Sequence, residues 1–252
     1  MAFPTSGLHW RERAGLKWLE GGFRGARVCF TTRTGGVSGG PYTSLNLGIL
    51  TGDERESVRE NRHRAAAAVG LDPGRVAIGR QVHGADLTFH GGDDPPTHFA
   101  EPGAPPEEAD GQLTDRAGVG LLVLVADCFP VAMIGRGGLA MLHCGWRGLA
   151  AGIIERAAAR IGAESAVVGP GIGPCCFEVG PEVLEAFAHL GPGISQGPMC
   201  DLEEVARRSL TAAGVGDVVS AGICTSCDRE QFFSHRRDGG VTGRQAGVAW
   251  LR

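Results

Sequence analysis

Short apolar runs suited to strands alternate with stretches of helical spacing along the whole chain. Residues 28–32 and 76–78 read as short strands. Residues 121–125 (LLVLV) are apolar at every position, as in a strand covered on both faces. Further strands are expected at 139–142, 166–168, 218–221 and 248–251. Helical spacing is clearest over 54–69 and 149–161, each followed by a glycine, Gly70 and Gly162, placed as a C-terminal stop. Asp201 and Glu204 have the spacing of a capping box and open a third helix, and Pro181 opens a fourth. No stretch reads as a linker between independent domains.

Residues 90–110 break the pattern. They hold five prolines and six acidic residues and no lysine or arginine, which predicts an exposed loop. A solvated insertion is the plainer reading and a lid over a site the sharper one. A second irregularity is an internal echo, R-x-G-G-V-[S/T]-G, at 33–39 and again at 237–243. The plain reading is a pair of glycine-rich hairpin turns. The sharper one is an anion pocket at each turn, built from backbone amides and an arginine.

Composition narrows the class. A chain of 252 residues, 42% apolar and 21% charged, is long enough for a continuous core and is not disordered by composition. A net charge of −4 gives no footprint for nucleic acid. The longest apolar run, 118–135, is interrupted by Asp127 and Pro130, so no membrane span is expected, and the N-terminal residues lack the apolar segment of a secretory signal. A cytoplasmic location and a monomer are the default expectations. Eight cysteines without such a signal suit reduced thiols, metal ligands or catalytic groups better than a disulfide framework.

Three segments place an imidazole or thiol just beyond an expected strand: QVHG at 81–84, ADCFP at 126–130 and LHCGWRG at 142–148. If those strands are neighbours, His83, Cys128 and His143 meet at one rim. Two imidazoles and a thiolate around an open fourth position make a Cys-His₂ zinc shell, in which the metal lowers the pKa of water. No local spacing rule joins the three. A histidine near a strand end is commonly a satisfied structural group, and a cysteine after an apolar strand is commonly just buried. Asp127, beside Cys128, is either a general base or a cap where the strand ends. Cys224 and Cys227 form a C-x-x-C pair without a second such pair, which argues against a zinc ribbon and for a structural loop. Cys175 and Cys176 lie in a rigid Gly/Pro turn that could line a pocket. No Walker lysine and no G-x-S-x-G elbow is present.

Taken together the segments resemble one family. FTTRTGGVS (30–38), PYTSLNLG (41–48), QVHGADL (81–87), ADG (109–111), ADCFPV (126–131), HCGWRG (143–148), GPGIGPCCFEVG (169–180) and RRDGGVTGR (236–244) follow the order of the YfiH-like proteins. The resemblance runs from about residue 28 to 252. These proteins have long been called polyphenol oxidases or laccases. They are now described as zinc-dependent purine nucleoside phosphorylases with adenosine deaminase and methylthioadenosine phosphorylase activities, and some are called peptidoglycan-editing factors. The resemblance implies an α/β (α+β) fold, a single domain with mixed β-sheets flanked by helices, related to a group of bacterial toxins with a Cys–His deamidase site. It implies zinc ligands at His83, Cys128 and His143. Cys144 departs from the usual alanine, which raises redox sensitivity beside a ligand, and Phe177 stands where tyrosine is frequent. The 90–110 loop looks longer than typical.

Purine nucleosides and phosphate are therefore the expected small-molecule substrates. Phosphorolysis needs an anion site and stabilisation of an oxocarbenium-like sugar, for which Arg33, Arg237 and Arg244 are candidate contacts and Asn46 a candidate for the ribose hydroxyls. In deamination Asp127 is a candidate proton shuttle. The competing reading is a Cys–His hydrolase or amidase acting on cell-wall precursors, with Cys128 as nucleophile and His143 or His83 as base. A copper oxidase is disfavoured: among eight histidines no two are separated by a single residue, and His₂Cys suits at most one blue copper.

Overall fold

The computed structural model describes residues 7–23, 25–92, 98–101 and 106–252. In chain order the strands are β1 (His9–Arg13), β2 (Leu16–Phe23), β3 (Ala26–Thr31), β4 (Val76–Ile78), β5 (Leu87–Phe89), β6 (Gly111–Thr114), β7 (Gly120–Val125), β8 (Phe129–Gly135), β9 (Gly138–Cys144), β10 (Ala163–Val168), β11 (Ser195–Gln196), β12 (Met199–Cys200), β13 (Asp217–Ser220) and β14 (Gln245–Leu251). The helices are α1 (Arg55–Val69), α2 (Trp146–Ala150), α3 (Ile153–Ile161), α4 (Pro181–Ala186) and α5 (Leu202–Ala212).

Two six-stranded mixed sheets form the frame, ordered β1-β2-β3-β14-β7-β4 and β13-β10-β8-β9-β6-β5. Period-two alternation assigns each residue to a layer. Val28, Phe30, Leu121, Val123 and Ala249 of the first sheet meet Ala132, Leu139, Met141 and Val167 of the second in a central core. Their alternates Cys29, Leu122, Ala246 and Val248 face α1. On the far side Val131, Met133, Ala140 and Leu142 face α3 and α5. The layers thus run helix, sheet, sheet, helix in one domain. This explains why 121–125 carries no polar residue: both faces of β7 are covered. The sheets approach closely at Gly247, where a Cβ would stand 2.5 Å from Pro130 Cβ.

Several expectations need correction. The helix expected at 149–161 is two, α2 and α3, separated where Gly152 takes a left-handed φ of 79°. The Asp201 carboxylate accepts from Glu204 N at 3.0 Å, but Glu204 reaches forward to Arg207 and Arg208, so only half of the capping box forms. Neither R-x-G-G-V-[S/T]-G segment is a hairpin turn: both are loops, and the first folds against residues 44–45, where a Cβ on Gly36 would sit 2.4 Å from Leu45 Cα. The 90–110 segment is not simply solvated. Among its described residues Phe99 and Ala100 are buried, the first inside the core under α1, while positions 93–97 and 102–105 lie outside the described residues.

The loop after β3 is fixed from α1 by buried polar side chains. Asn61 accepts from Val37 N and donates to Ser38 Oγ and Asn46 O. Arg62, 2% exposed, donates to Leu47 O, His98 O and Phe99 O, and burial lowers its pKa to about 10. Arg62→Ala would leave three carbonyls unpaired beside a void. A loss of about 3 kcal/mol is expected, read as a lower urea midpoint.

Candidate metal centre

The chain passes from the first sheet to the second between Val125, the end of β7, and Phe129, the start of β8. At that step Asp127 adopts φ 89°, a left-handed conformation rare for residues other than glycine. It is held there from three sides. Its carbonyl accepts from Ile172 N at 2.8 Å, and its carboxylate accepts from the Thr225 hydroxyl and from Arg236 N, both at 2.7 Å. Cys128 follows directly. His143 is the penultimate residue of β9, paired in register with Pro130 of β8. His83 lies in the loop beyond β4, also with a left-handed φ, of 61°.

The ligand atoms of His83, Cys128 and His143 lie within 4.8 Å of one another. The two imidazoles meet edge-on, with centroids 4.8 Å apart and planes at 71°. Of the strands that deliver them, β4 and β7 are neighbours, as a shared rim requires, but β9 is not. β4 and β7 belong to the first sheet and β9 to the second, so the centre sits at the junction of the layers.

Asp110, which the sequence reading left without a role, organises the centre. Its carboxylate accepts backbone N–H from Val82, His83 and Gly84 at 2.8–3.0 Å and meets His143 Nδ1 at 2.6 Å. Burial works against its charge, but the hydrogen bonds from His143 and the amides hold the carboxyl below its usual range. Engaging Nδ1 leaves Nε2 of His143 as the free donor, the arrangement that metal-ligating histidines use. One sulfur and two nitrogens converging, with one imidazole oriented by a carboxylate, fit a transition metal bound by three protein ligands.

Space in the centre depends on Gly145, after the β9 strand. A Cβ there would lie 2.9 Å from Cys128 Sγ and 3.2 Å from His83 Cδ2. Gly145→Ala is expected to cut metal affinity roughly 10- to 100-fold, the range seen when ligand-orienting groups are lost, in a chain that still folds. Metal analysis after dialysis, with circular dichroism alongside, checks this.

Burial alone would push the Cys128 thiol up, yet the charges and hydrogen bonds of His143 and His83 bring it down to about 6. His143 moves the other way: burial opposes its charge, but Cys128 and Asp110 raise it to about 9. Metal-free protein should therefore hold a thiolate–imidazolium pair near neutrality. Alkylation at Cys128, read by peptide mass mapping, should remain fast at pH 7 and slow only as the pH falls through about 6, whereas an ordinary thiol of pKa about 8.5 is mostly protonated there. Cys144 is fully buried, and burial pushes its thiol well up, so it packs as a small apolar residue rather than a redox group.

The proposed substrate contacts separate into two sets. Arg33 donates to Thr43 O at 2.8 Å and lies 4.5 Å over the Phe233 ring. Arg237 pairs with Asp238 and donates to Thr225 O, Ser226 O and Phe232 O. The two echo arginines therefore staple loops together. Asn46 has no exposed surface to offer ribose: its amide donates to Thr51 and Asp53 and accepts from Gly48 N and Arg244 N. Arg244 is half-buried and differs in that its charge interacts with the centre. Its guanidinium donates to Thr242 O and Gly243 O, and its charge interacts with Cys128 and Asp127.

A helix–sheet–sheet–helix chain with a candidate Cys-His₂ centre at the junction of its sheets resembles known proteins over nearly its whole length. Residues 27–252 match the family described as multi-copper polyphenol oxidoreductase laccase, and the chain belongs to this family. Its relatives include purine nucleoside phosphorylase YfiH of Escherichia coli K12, 39% identical over 90% of this chain and 95% of that one. They also include purine nucleoside phosphorylase YlmD of Geobacillus stearothermophilus, 37% identical over 90% of this chain and 92% of that one. The crystal structure of the Geobacillus YlmD aligns with TM-score 0.86 and 35% identity over 96% of this chain and 98% of that chain. No described helix is long and apolar enough to cross a membrane.

Proposed function

We propose that the protein is a zinc-dependent purine nucleoside phosphorylase that also deaminates adenosine and cleaves methylthioadenosine, acting in the cytoplasm. The observation that carries this reading is the convergence of His83, Cys128 and His143, with Asp110 orienting His143, in a chain whose curated relatives are named for that activity. Zinc fits the donor set better than a multicopper centre: among the described residues the groups able to hold a metal are this trio and a cluster of four cysteines, with no further histidines.

In phosphorolysis a phosphate oxygen bonds to the anomeric carbon while the bond from that carbon to the base nitrogen breaks, and the base leaves with a proton. When bound, zinc supplies a Lewis acid that polarises an electron-rich group of the substrate. The chain's own residues do the rest. His83, Cys128 and His143 would hold that ion, and Asp110, at His143 Nδ1, favours the tautomer that leaves the Nε2 lone pair for it. Arg244 supplies positive charge beside Cys128 and Asp127, where an anionic co-substrate needs it. Asp127 retains a lone pair on each carboxylate oxygen beyond its bonds to Thr225 and Arg236, and so can hold a proton in deamination.

One observation favours a second reading. Cys128, His143 and Asp110 are also ordered as nucleophile, base and orienter, with His143 Nδ1 2.6 Å from Asp110 and the Cys128 thiol lowered to about 6. That suits a thiol hydrolase or amidase, for which cell-wall precursors are the candidate substrate. Chelation separates the two: the zinc enzyme loses turnover and recovers it on adding zinc, while the thiol enzyme is indifferent to chelator and lost to alkylation.

A further inference from the structure

Four cysteines that the trio does not use meet in a second cluster. Cys175 and Cys176 lie in the Gly/Pro turn after β10, and Cys224 and Cys227 in the loop after β13. All four sulfur atoms lie within 4.8 Å of one another. Cys227 Sγ stands 3.4 Å from Cys175 Sγ and 3.5 Å from Cys176 Sγ. Four thiolates around one zinc at about 2.3 Å are spaced about 3.8 Å apart at the corners of a tetrahedron. Separations of this size enclose a single ion and leave no room for a polynuclear cluster.

The backbone is arranged for the same purpose. Gly173 N donates to Cys224 Sγ at 3.2 Å, and the Cys227 amide reaches the same sulfur. Amides aimed at a sulfur support its thiolate and orient it as a ligand. A Cβ on Gly173 would stand 3.2 Å from Cys224 Cβ and 3.4 Å from Cys175 Sγ, so glycine leaves the room that the sulfurs occupy. The two segments are also tied by a parallel bridge between Gly171 and Cys224 and by Thr225 N donating to Gly171 O at 2.9 Å. A disulfide would pair two sulfurs and strand the other two, whereas Cys227 faces Cys175 and Cys176 almost equally.

We propose that Cys175, Cys176, Cys224 and Cys227 form a second, structural zinc site, closed by four thiolates and separate from the His83–Cys128–His143 centre. Thiolate donors select a borderline-soft ion, and four of them leave no open position for substrate. The site clamps both loops that steady Asp127, since Ile172 and Thr225, which bond to it, flank the cysteines in each loop. The inference stands independently of the phosphorylase reading.

The test measures zinc per chain in the full-length protein expressed with zinc, after exhaustive dialysis. Cys128→Ala, which removes the thiolate of the first centre, is expected to retain one zinc per chain, with X-ray absorption reading about four sulfur neighbours. Adding Cys224→Ser and Cys227→Ser should take the content to zero. A Cys128→Ala chain that holds no zinc overturns the proposal, whether its remaining cysteines titrate as free thiols or are found as a disulfide. Should the triple variant not fold, wild-type protein decides: two zinc per chain averaging about 2.5 sulfur neighbours supports the second site, and one zinc with about one sulfur neighbour overturns it.

Discussion

Cys128→Ala is expected to abolish phosphorolysis, with kcat/KM falling on the order of 10³-fold or more, because the substitution removes the only sulfur donor of the centre and its negative charge together. The fold should survive. The Cys128 side chain packs only at the edge of the central core, and the backbone around it is fixed through Asp127, Phe129 and Gly169 rather than through the sulfur. Thermal unfolding close to wild type, with turnover lost, is therefore the expected pair of results. Loss of both would mean that the centre is structural. Cys128→Ser should lose turnover as well, since a hydroxyl restores size but is a poor thiolate substitute both as a zinc ligand and as a nucleophile.

The second large effect is expected at Asp110, which touches no reacting atom and acts through His143. Asp110→Asn keeps the shape of the side chain but removes the charge that accepts from three backbone amides and from His143 Nδ1. In a zinc centre the loss should appear chiefly as metal affinity weakened about 10- to 100-fold, with activity returning at high zinc. In a thiol hydrolase it should appear in kcat, by up to about 10⁴-fold, and zinc should not restore it. A neutral side chain also withdraws a charge that raises the His143 pKa, so in metal-free protein the thiolate of Cys128 is less favoured. Its alkylation should then fall off at higher pH than in wild type.

The candidate trio was legible from sequence because each member sits next to a strongly apolar strand or a distinctive glycine-rich segment, and the order of those segments matched a known family. The route by which they meet was not legible. Cys128 lies on the step between two sheets, and period-two alternation does not say that a chain changes sheets after Val125. Asp110 was missed because its partner is 33 residues away and because the preceding segment, acidic and proline-rich, reads as solvent-exposed. Its signal was an Ala-Asp-Gly at the start of a short strand, too brief to weigh alone. The four-cysteine cluster was missed for a related reason: the C-x-x-C pair is completed by an adjacent pair of cysteines 51 and 52 residues from Cys227, a combination with no local spacing rule.

Strand errors have equally specific causes. β1 (HWRER) is exposed along its length and carries no apolar alternation to read. β8 was not among the expected strands; it carries Pro130 near its start, where the missing N–H costs least. The arginines of the repeated glycine-rich motif attracted a substrate role because isolated arginines invite one. In the fold Arg33 and Arg237 are consumed by carbonyls, an aromatic ring and Asp238.

The most direct test of the account is product analysis of zinc-loaded protein on adenosine, inosine and methylthioadenosine, with and without phosphate, repeated on Cys128→Ala. Phosphate-dependent release of free base from all three, inosine formed from adenosine, and neither reaction in the variant are the expected results. Zinc-loaded protein that turns over no nucleoside at any phosphate concentration would contradict the phosphorylase reading.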